Sequence, residues 1–348
     1  MSKWFQHIQF YTAGWFFASI FFYMMRQVGV AGVNGVNVPL KHFVLLLPVF
    51  SLAPGLIFGS LQYLFEKNLK VSIPLPIQLI RIFVIQLIVI TIFALAFYLI
   101  ISGGNFWAFL NSPATFVFNF YVLIANLFFA FLIEIIKLIG RRNFIKLITG
   151  KFYTPKEEYR IFMFIDLKSS TSIAEKLGHL SYSHFIKDCY ADLDVVMKYG
   201  TEIYQYVGDE VVFTWERSKI KRVTQCVEAF WSFHNKLLSK ADYYTSNYGV
   251  VPEFKAGMSI GMVTVVEIGD FKKEIAYHGN VLNTTSRVVD LCNFFGEKLL
   301  ITKKVYDELM SEKPHYIFQK VTETKLRGKS ELTEVFSITL HESKVLVP

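Results

Sequence analysis

From Ile82 to Ile133 the chain carries no Lys, Arg, Asp or Glu. A water-soluble fold does not hide so long a segment, because its surface is drawn largely from charged side chains. The sparsity extends through the whole first part. Residues 1–140 hold seven basic groups and two acids, whereas the other 208 residues hold 29 and 26. Two different kinds of structure are therefore joined in one chain of 348 residues, a length that suits two or three domains.

Four apolar stretches follow one another in the first part, roughly Ile8–Val28, His42–Phe65, Pro76–Ile101 and Phe116–Leu138. About 20 residues suffice to cross the hydrocarbon core of a bilayer. In lipid each stretch must be helical, since unpaired backbone groups are too costly there. The expectation is a four-helix membrane domain over residues 1–139. The segment Ser102–Thr115 is free of charge and suits the outside. Lys67, Lys70, Lys137, Arg141, Arg142, Lys146 and Lys151 suit the cytoplasmic side. An even number of spans then places both termini in the cytoplasm, in a multi-pass membrane protein. Arg26 and Lys41 fit that orientation less well. Few ionisable groups lie inside the spans, which argues against an ion pathway. His7 and His42 sit near span ends, as interfacial residues or as ligands of a haem or metal.

Residues 140–160 form a juxtamembrane linker, read either as a basic flank drawn to anionic lipid or as a signal-carrying connection. Pro155 limits any helix running through it. No cleavable signal peptide is evident. Cys189, Cys226 and Cys292 have no paired spacing and suit a reducing compartment. The net charge of +8 lacks the dense basic stripe of a nucleic-acid binder.

From Arg160 onward strands and helices alternate. Arg160–Asp166 reads as a strand. Ser169–Tyr199 is helical with a break at Gly178. Thr201–Val207 and Val211–Trp215 form a hairpin turning at Gly208 and Asp209. Lys219–Tyr243 is helical, Glu253–Ile268 is a long strand returning as Glu274–Tyr277, Asn280–Phe295 is helical, and Lys298–Ile301 is a strand. Strand, helix, hairpin, helix, strand is the ferredoxin-like order. The expected fold of residues 161–348 is α+β, with one antiparallel sheet.

The strand IFMFID delivers Asp166 to its own end, and the hairpin tip delivers Asp209. Mg²⁺ prefers one or two carboxylates plus phosphate oxygens from a substrate. Ser169, Ser170 and Thr171 open a helix whose free N–H groups can receive phosphate. Two metal ions bridged by carboxylates would serve an in-line displacement. The residues alone allow a second reading equally well. Asp166 then caps the helix and Asp209 merely favours a tight turn.

Four motifs in order add a resemblance. They are FxDLxxST at Phe164–Thr171, YVGDEVVF at Tyr206–Phe213, GNVLNTTSR at Gly279–Arg287 and LRGKSELTEVF at Leu326–Phe336. Residues from about Tyr153 to Leu340 resemble the catalytic domain of class III nucleotidyl cyclases, the adenylate and guanylate cyclases. The resemblance implies Asp166, Asp209 and the Leu167 carbonyl as ligands of two Mg²⁺ or Mn²⁺ ions. It implies Asn283 and Arg287 as transition-state residues, i and i+4 on one helix face. It implies Lys329 as a phosphate-binding residue, with Arg327 nearby. In this family the metal and transition-state residues of one chain serve different active sites, so a second copy of the chain is implied as partner.

Base selection departs from the family pattern. Adenylate cyclases of this family typically carry Lys at the position of Gln205 and Asp, Thr or Ser at that of Ala276; guanylate cyclases carry Glu at the former. A glutamine amide donates and accepts, so it can face adenine or guanine by flipping. The membrane-tethered members that the chain resembles favour ATP over GTP, which implies an adenylate cyclase. A guanylate cyclase and a weakly catalytic cyclase-like receptor are the alternatives. A diguanylate cyclase is disfavoured because its GG(D/E)EF hairpin lacks a full match at Val207–Val211 and has no counterpart of Asn283–Arg287.

Overall fold

The computed structural model describes residues 3–29, 39–68, 75–97, 113–312, 315–324 and 332–340. The chain divides into two units, Met1–Arg141 and Arg142–Pro348. In the first, the apolar stretches form helices α1 (Lys3–Gly29), α2 (Leu40–Asn68), α3 (Leu75–Phe97) and α4 (Pro113–Ile139). Among the described residues two of these, over Leu40–Lys67 and Phe116–Ile139, are long and apolar enough to cross a membrane, rather than the four expected. Only 22% and 28% of their most apolar stretches are buried within the protein, which is not the behaviour of a soluble core helix. Gln9, Tyr11, Thr12 and Tyr23 dilute α1. The third helix, 23 residues over Leu75–Phe97, is mostly apolar over its described stretch Leu79–Val89. Most of the uncharged outer segment, residues 102–112, lies outside the described residues.

Glu66 ties three of these helices together. His7 Nε2 lies 3.1 Å and Lys137 Nζ 2.8 Å from its Oε1, so the start of α1 meets the ends of α2 and α4. His7 is thereby occupied, and among the described residues no group of three or more His, Cys, Asp and Glu is placed to hold a metal.

The second unit opens with a short helix, α5 (Arg141–Ile148), which stops at a turn before Pro155. Strand β1 (Lys156–Leu167) follows, four residues longer at its start than the sequence suggests. Next come α6 (Ser170–Leu177), α7 (His179–Ala191) and a 3₁₀ segment over Asp192–Tyr199, with the break at Gly178 as expected. The hairpin is β2 (Glu202–Val207) and β3 (Glu210–Glu216). Helices α8 (Thr224–Leu238) and α9 (Ala241–Tyr248) lead to β4 (Phe254–Ile268) and β5 (Glu274–His278). Then come α10 (Asn280–Phe295), β6 (Leu299–Thr302), α11 (Lys303–Ser311), β7 (Tyr316–Thr324) and β8 (Thr333–Leu340).

The strands form one sheet in the order β2-β3-β1-β4-β6-β8-β7, with β5 pairing β4. The pairs among β1 to β4 are antiparallel, but β4 and β6 are parallel, which corrects the expectation of a purely antiparallel sheet. The crossover through α10 makes that parallel pairing possible. Helix α8 starts five residues later than the sequence suggests. Its first N–H groups, of Val223 and Thr224, donate to the Glu312 carboxylate at 2.6 and 3.0 Å.

Strand β1 is buried on both faces, which explains its unbroken apolar run. Ile161, Met163, Ile165 and Leu167 point into the larger core with Phe213, Phe230 and Met258. Phe162 and Phe164 point the other way, toward Val263, Val265, Tyr277 and Val289. Successive side chains alternate between faces, so Asp166 belongs with Phe162 and Phe164. The three cysteines are free and buried. Burial pushes the Cys189 and Cys292 thiols up to about 12, which leaves them unreactive.

Candidate active site

Asp166 lies in a cross-strand row. Its register partners are Glu210 on β3 and Lys255 on β4, so the three side chains share one sheet face. Lys255 is buried, and its Nζ lies 2.8 Å from Asp166 Oδ2. The carboxyl therefore pairs with an ammonium and does not cap α6. Ser169 is the N-cap of that helix, in the left-handed region at φ 57°, and makes no side-chain cap bond. The first-turn residues Ser170 and Thr171 follow Asp166 by four and five residues, and Ser170 lies in hydrogen-bonding reach of Tyr182 on α7.

Asp209 is at the tip of the β2–β3 hairpin, where Gly208 takes φ +63°. That angle suits glycine, since a side chain would be strained there. The Tyr190 hydroxyl on α7 donates to the Gly208 carbonyl at 3.1 Å, and its ring packs 4.8 Å from that of Tyr206. Tyr190 thus holds the tip by both contacts. The tip brings the Asp209 carboxyl within hydrogen-bonding reach of Asp166.

The electrostatics follow from this crowding. Burial raises the Asp166 carboxyl above its ordinary range; Lys255 opposes the rise and Asp209 adds to it. Burial, with Asp166, Asp290 and Asp209 nearby, pushes Glu210 up to about 7. The two facing carboxyls, Asp166 and Asp209, are hard oxygen donors, with Glu210 nearby but not grouped with them as a three-residue metal site among the described residues. Such donors suit Mg²⁺ or Mn²⁺ better than a softer metal. The Leu167 side chain is buried in the core, and its backbone pairs with Phe254.

Asn283 and Arg287 lie on α10, which packs on the same sheet face. A Cβ on Gly257 would meet the Val289 nitrogen at 2.4 Å, so glycine there lets the helix sit directly on β4. Ser259 Oγ donates to the Val281 carbonyl at 3.1 Å and also bonds Thr285. The stretch around Asn283 is therefore fixed beside Ser259, four residues along β4 from Lys255. Four residues of strand span about 13 Å. One chain thus brings Asp166 and Asp209 together, and its Asn283 stretch lies at the level of Ser259, further along β4.

Gln205 is exposed on β2, just after a register irregularity between Ile203 and Gln205. Ala276 is buried on β5 opposite Val266. Lys329 and Arg327 lie outside the described residues. Sequence reasoning missed Lys255, Glu210, Tyr182 and Tyr190. Only Glu210 had a local signal, beside Asp209; the others come into the site through strand register and helix packing.

Residues 153–339, just over half of the chain, match the family described as the adenylate and guanylate cyclase catalytic domain. The chain belongs to this family. Its class III nucleotidyl cyclase domain follows a set of apolar helices. The chain is also similar to adenylate cyclase 2 of Rhizobium meliloti (strain 1021), 31% identical over 211 residues. That match covers 60% of this chain and 58% of the relative, less than two thirds of its length. Among solved structures, a bacterial light-regulated adenylyl cyclase superposes with a TM-score of 0.55 at 15% identity, covering 66% of this chain and 67% of the other. At that identity the likeness concerns the cyclase fold alone. The guanylate cyclase domain of RhGC from Catenaria anguillulae, in complex with GTP, gives a TM-score of 0.45 at 16% identity over 53% of this chain and 98% of the other.

Proposed function

We propose that the chain is a membrane-anchored adenylate cyclase, a homodimer that converts ATP to 3′,5′-cyclic AMP and pyrophosphate. The observation that carries this reading is the facing carboxyl pair, Asp166 and Asp209, on the face that α10 covers. Asp166, Asp209 and the Leu167 carbonyl would hold two Mg²⁺ or Mn²⁺ ions. Bound there, the ions supply activation of the 3′-hydroxyl and charge neutralisation of the triphosphate.

The chain's own residues supply the rest. The 3′-hydroxyl gives up its proton to solvent, the bond from the 3′-oxygen to the α-phosphorus forms as the bond to the α–β bridging oxygen breaks, and pyrophosphate leaves. Asn283 and Arg287 from a second copy face the charge that grows on the α-phosphoryl oxygens. The placement of Asn283 beside Ser259, four residues along β4 from Lys255, supports this division of labour for Asn283. Ser169, Ser170 and Thr171 present backbone N–H groups to phosphate, and Lys329 adds a cation. Gln205 and Ala276 face the base.

Residues 1–139 are proposed as a four-span membrane domain, 140–160 as the linker and 161–348 as the catalytic domain, with the termini in the cytoplasm. The β2-β3-β1-β4 order supports a ferredoxin-like core. The second reading, a guanylate cyclase, rests on Gln205, whose amide serves either base. The test supplies ATP and GTP in competition to the full chain in lipid nanodiscs with Mg²⁺ or Mn²⁺. Cyclic AMP as the main product is expected. Equal or faster formation of cyclic GMP would establish the second reading instead.

A further inference from the structure

At the far end of β1 from Asp166 lies a second charged cluster that the chemistry does not use. Arg160 is fully buried within the sheet. Its Nη1 donates to Glu158 at 2.6 Å, its Nη2 to Glu202 at 3.0 Å and its Nε to Thr214 at 3.0 Å. The juxtamembrane segment reaches into the same cluster. Lys146 of α5, itself buried, donates to the Glu202 oxygen that Arg160 holds, at 3.1 Å. Lys151 donates to Glu158 at 3.1 Å.

Buried ion clusters are poor sources of stability, because desolvation offsets the attraction, but they specify geometry well. Here the geometry leads to the base-contact positions. The Arg160 guanidinium stacks 4.9 Å over the Tyr277 ring, and Tyr277 follows Ala276. Tyr277 in turn packs edge-on against Tyr204 with centroids 4.8 Å apart, and Tyr204 precedes Gln205 at the irregularity in β2. Glu202 lies on the same short strand, three residues before Gln205. Both strands that present the base-contact positions are therefore braced by the group that Lys146 helps to hold.

We propose that Lys146 is a positioning residue for base selection. By holding Glu202 against Arg160, it sets where β2 and β5 present Gln205 and Ala276. The relative use of ATP and GTP then depends on the juxtamembrane helix. This inference rests on the reading of Gln205 and Ala276 as base-contact positions.

The test uses the full chain in nanodiscs and measures kcat/KM and nucleotide Kd for ATP and GTP. Lys146→Met and Glu202→Gln should each change the ATP-to-GTP ratio by about threefold or more, the scale of a modest coupling between sites. The change should lie in KM and Kd more than in kcat. Lys146→Arg should restore the ratio, and Tyr248→Phe, which loses a bond to Asp188 elsewhere in the domain, should leave it alone. If melting curves show that Lys146→Met does not fold, Lys146→Gln and Glu202→Gln decide the matter. A ratio unmoved by these variants, or moved as far by Tyr248→Phe, overturns the proposal. Gln205→Glu separates the two levels: if it leaves the ratio unmoved, the base-contact reading itself fails.

Discussion

The Lys255 ammonium sits 2.8 Å from the Asp166 carboxylate, across two antiparallel strands in direct register. The lysine is buried and holds in place one side chain of the proposed metal pair. Replacing Lys255 by Met leaves Asp166, Asp209 and Glu210 facing one another without that cation. Metal-free Lys255→Met should lose about 1–3 kcal/mol of stability, the usual cost of orphaning a buried polar group. Mn²⁺ should raise its melting temperature more than it raises that of the unmodified protein. A melt that Mn²⁺ does not move would contradict this account of the site.

Tyr190 has a narrower role. Its hydroxyl anchors the Gly208 carbonyl, and so the hairpin tip beside Asp209. Tyr190→Phe should cost only about 0.5–1.5 kcal/mol of stability, the net worth of one hydrogen bond. Product formation should fall more than that loss explains, because a displaced carboxylate misaligns the reacting groups. Comparing chemical denaturation with turnover checks both halves.

Arg160 should be far more costly to remove. Arg160→Met leaves Glu158 and Glu202 buried beside each other with only lysines from the juxtamembrane segment. A loss of about 3–5 kcal/mol is expected, as for one partner removed from a buried ion pair. A denaturation midpoint close to that of the unmodified protein would contradict the geometry described for this cluster.

His234 gives a pH dependence well away from the proposed metal ligands. Burial, with Lys298 nearby, lowers it from its ordinary 6.5, while Glu253 acts the other way. Below pH 6.5 the unfolded chain then binds more protons at this group than the folded chain does. Stability from this group is therefore present above 6.5 and lost as pH falls below it. His234→Gln should flatten that acid limb, read by thermal melts between about pH 5 and 8.

The elements around the site were legible because their periodicities are strong. The unbroken run of β1, the glycine turn at Gly208 and the uninterrupted pattern of Asn280–Phe295 each name an element without tertiary help. What was not legible depends on partners distant in sequence. Glu312 sets where α8 begins from 88 residues away, and no local signal announces it. Lys255 becomes a neighbour of Asp166 only through strand register. The helix-cap alternative for Asp166 was settled the same way, by its pairing with Lys255 and by Ser169 taking the cap. In the first unit, apolar composition located the helices, but polar residues within α1 lowered its hydropathy below that of α2 and α4.

The proposed active site divides between two copies: Asp166 and Asp209 come from one, Asn283 and Arg287 from the other. Co-expressing full-length Asp209→Ala and Asn283→Ala tests it directly. Each variant alone should be inactive. Random pairing makes half the dimers mixed, each with one intact site of two, so about a quarter of the unmodified cyclase activity should return. Two inactive variants whose mixture also stays inactive, although the mixed dimer forms, would contradict the shared site.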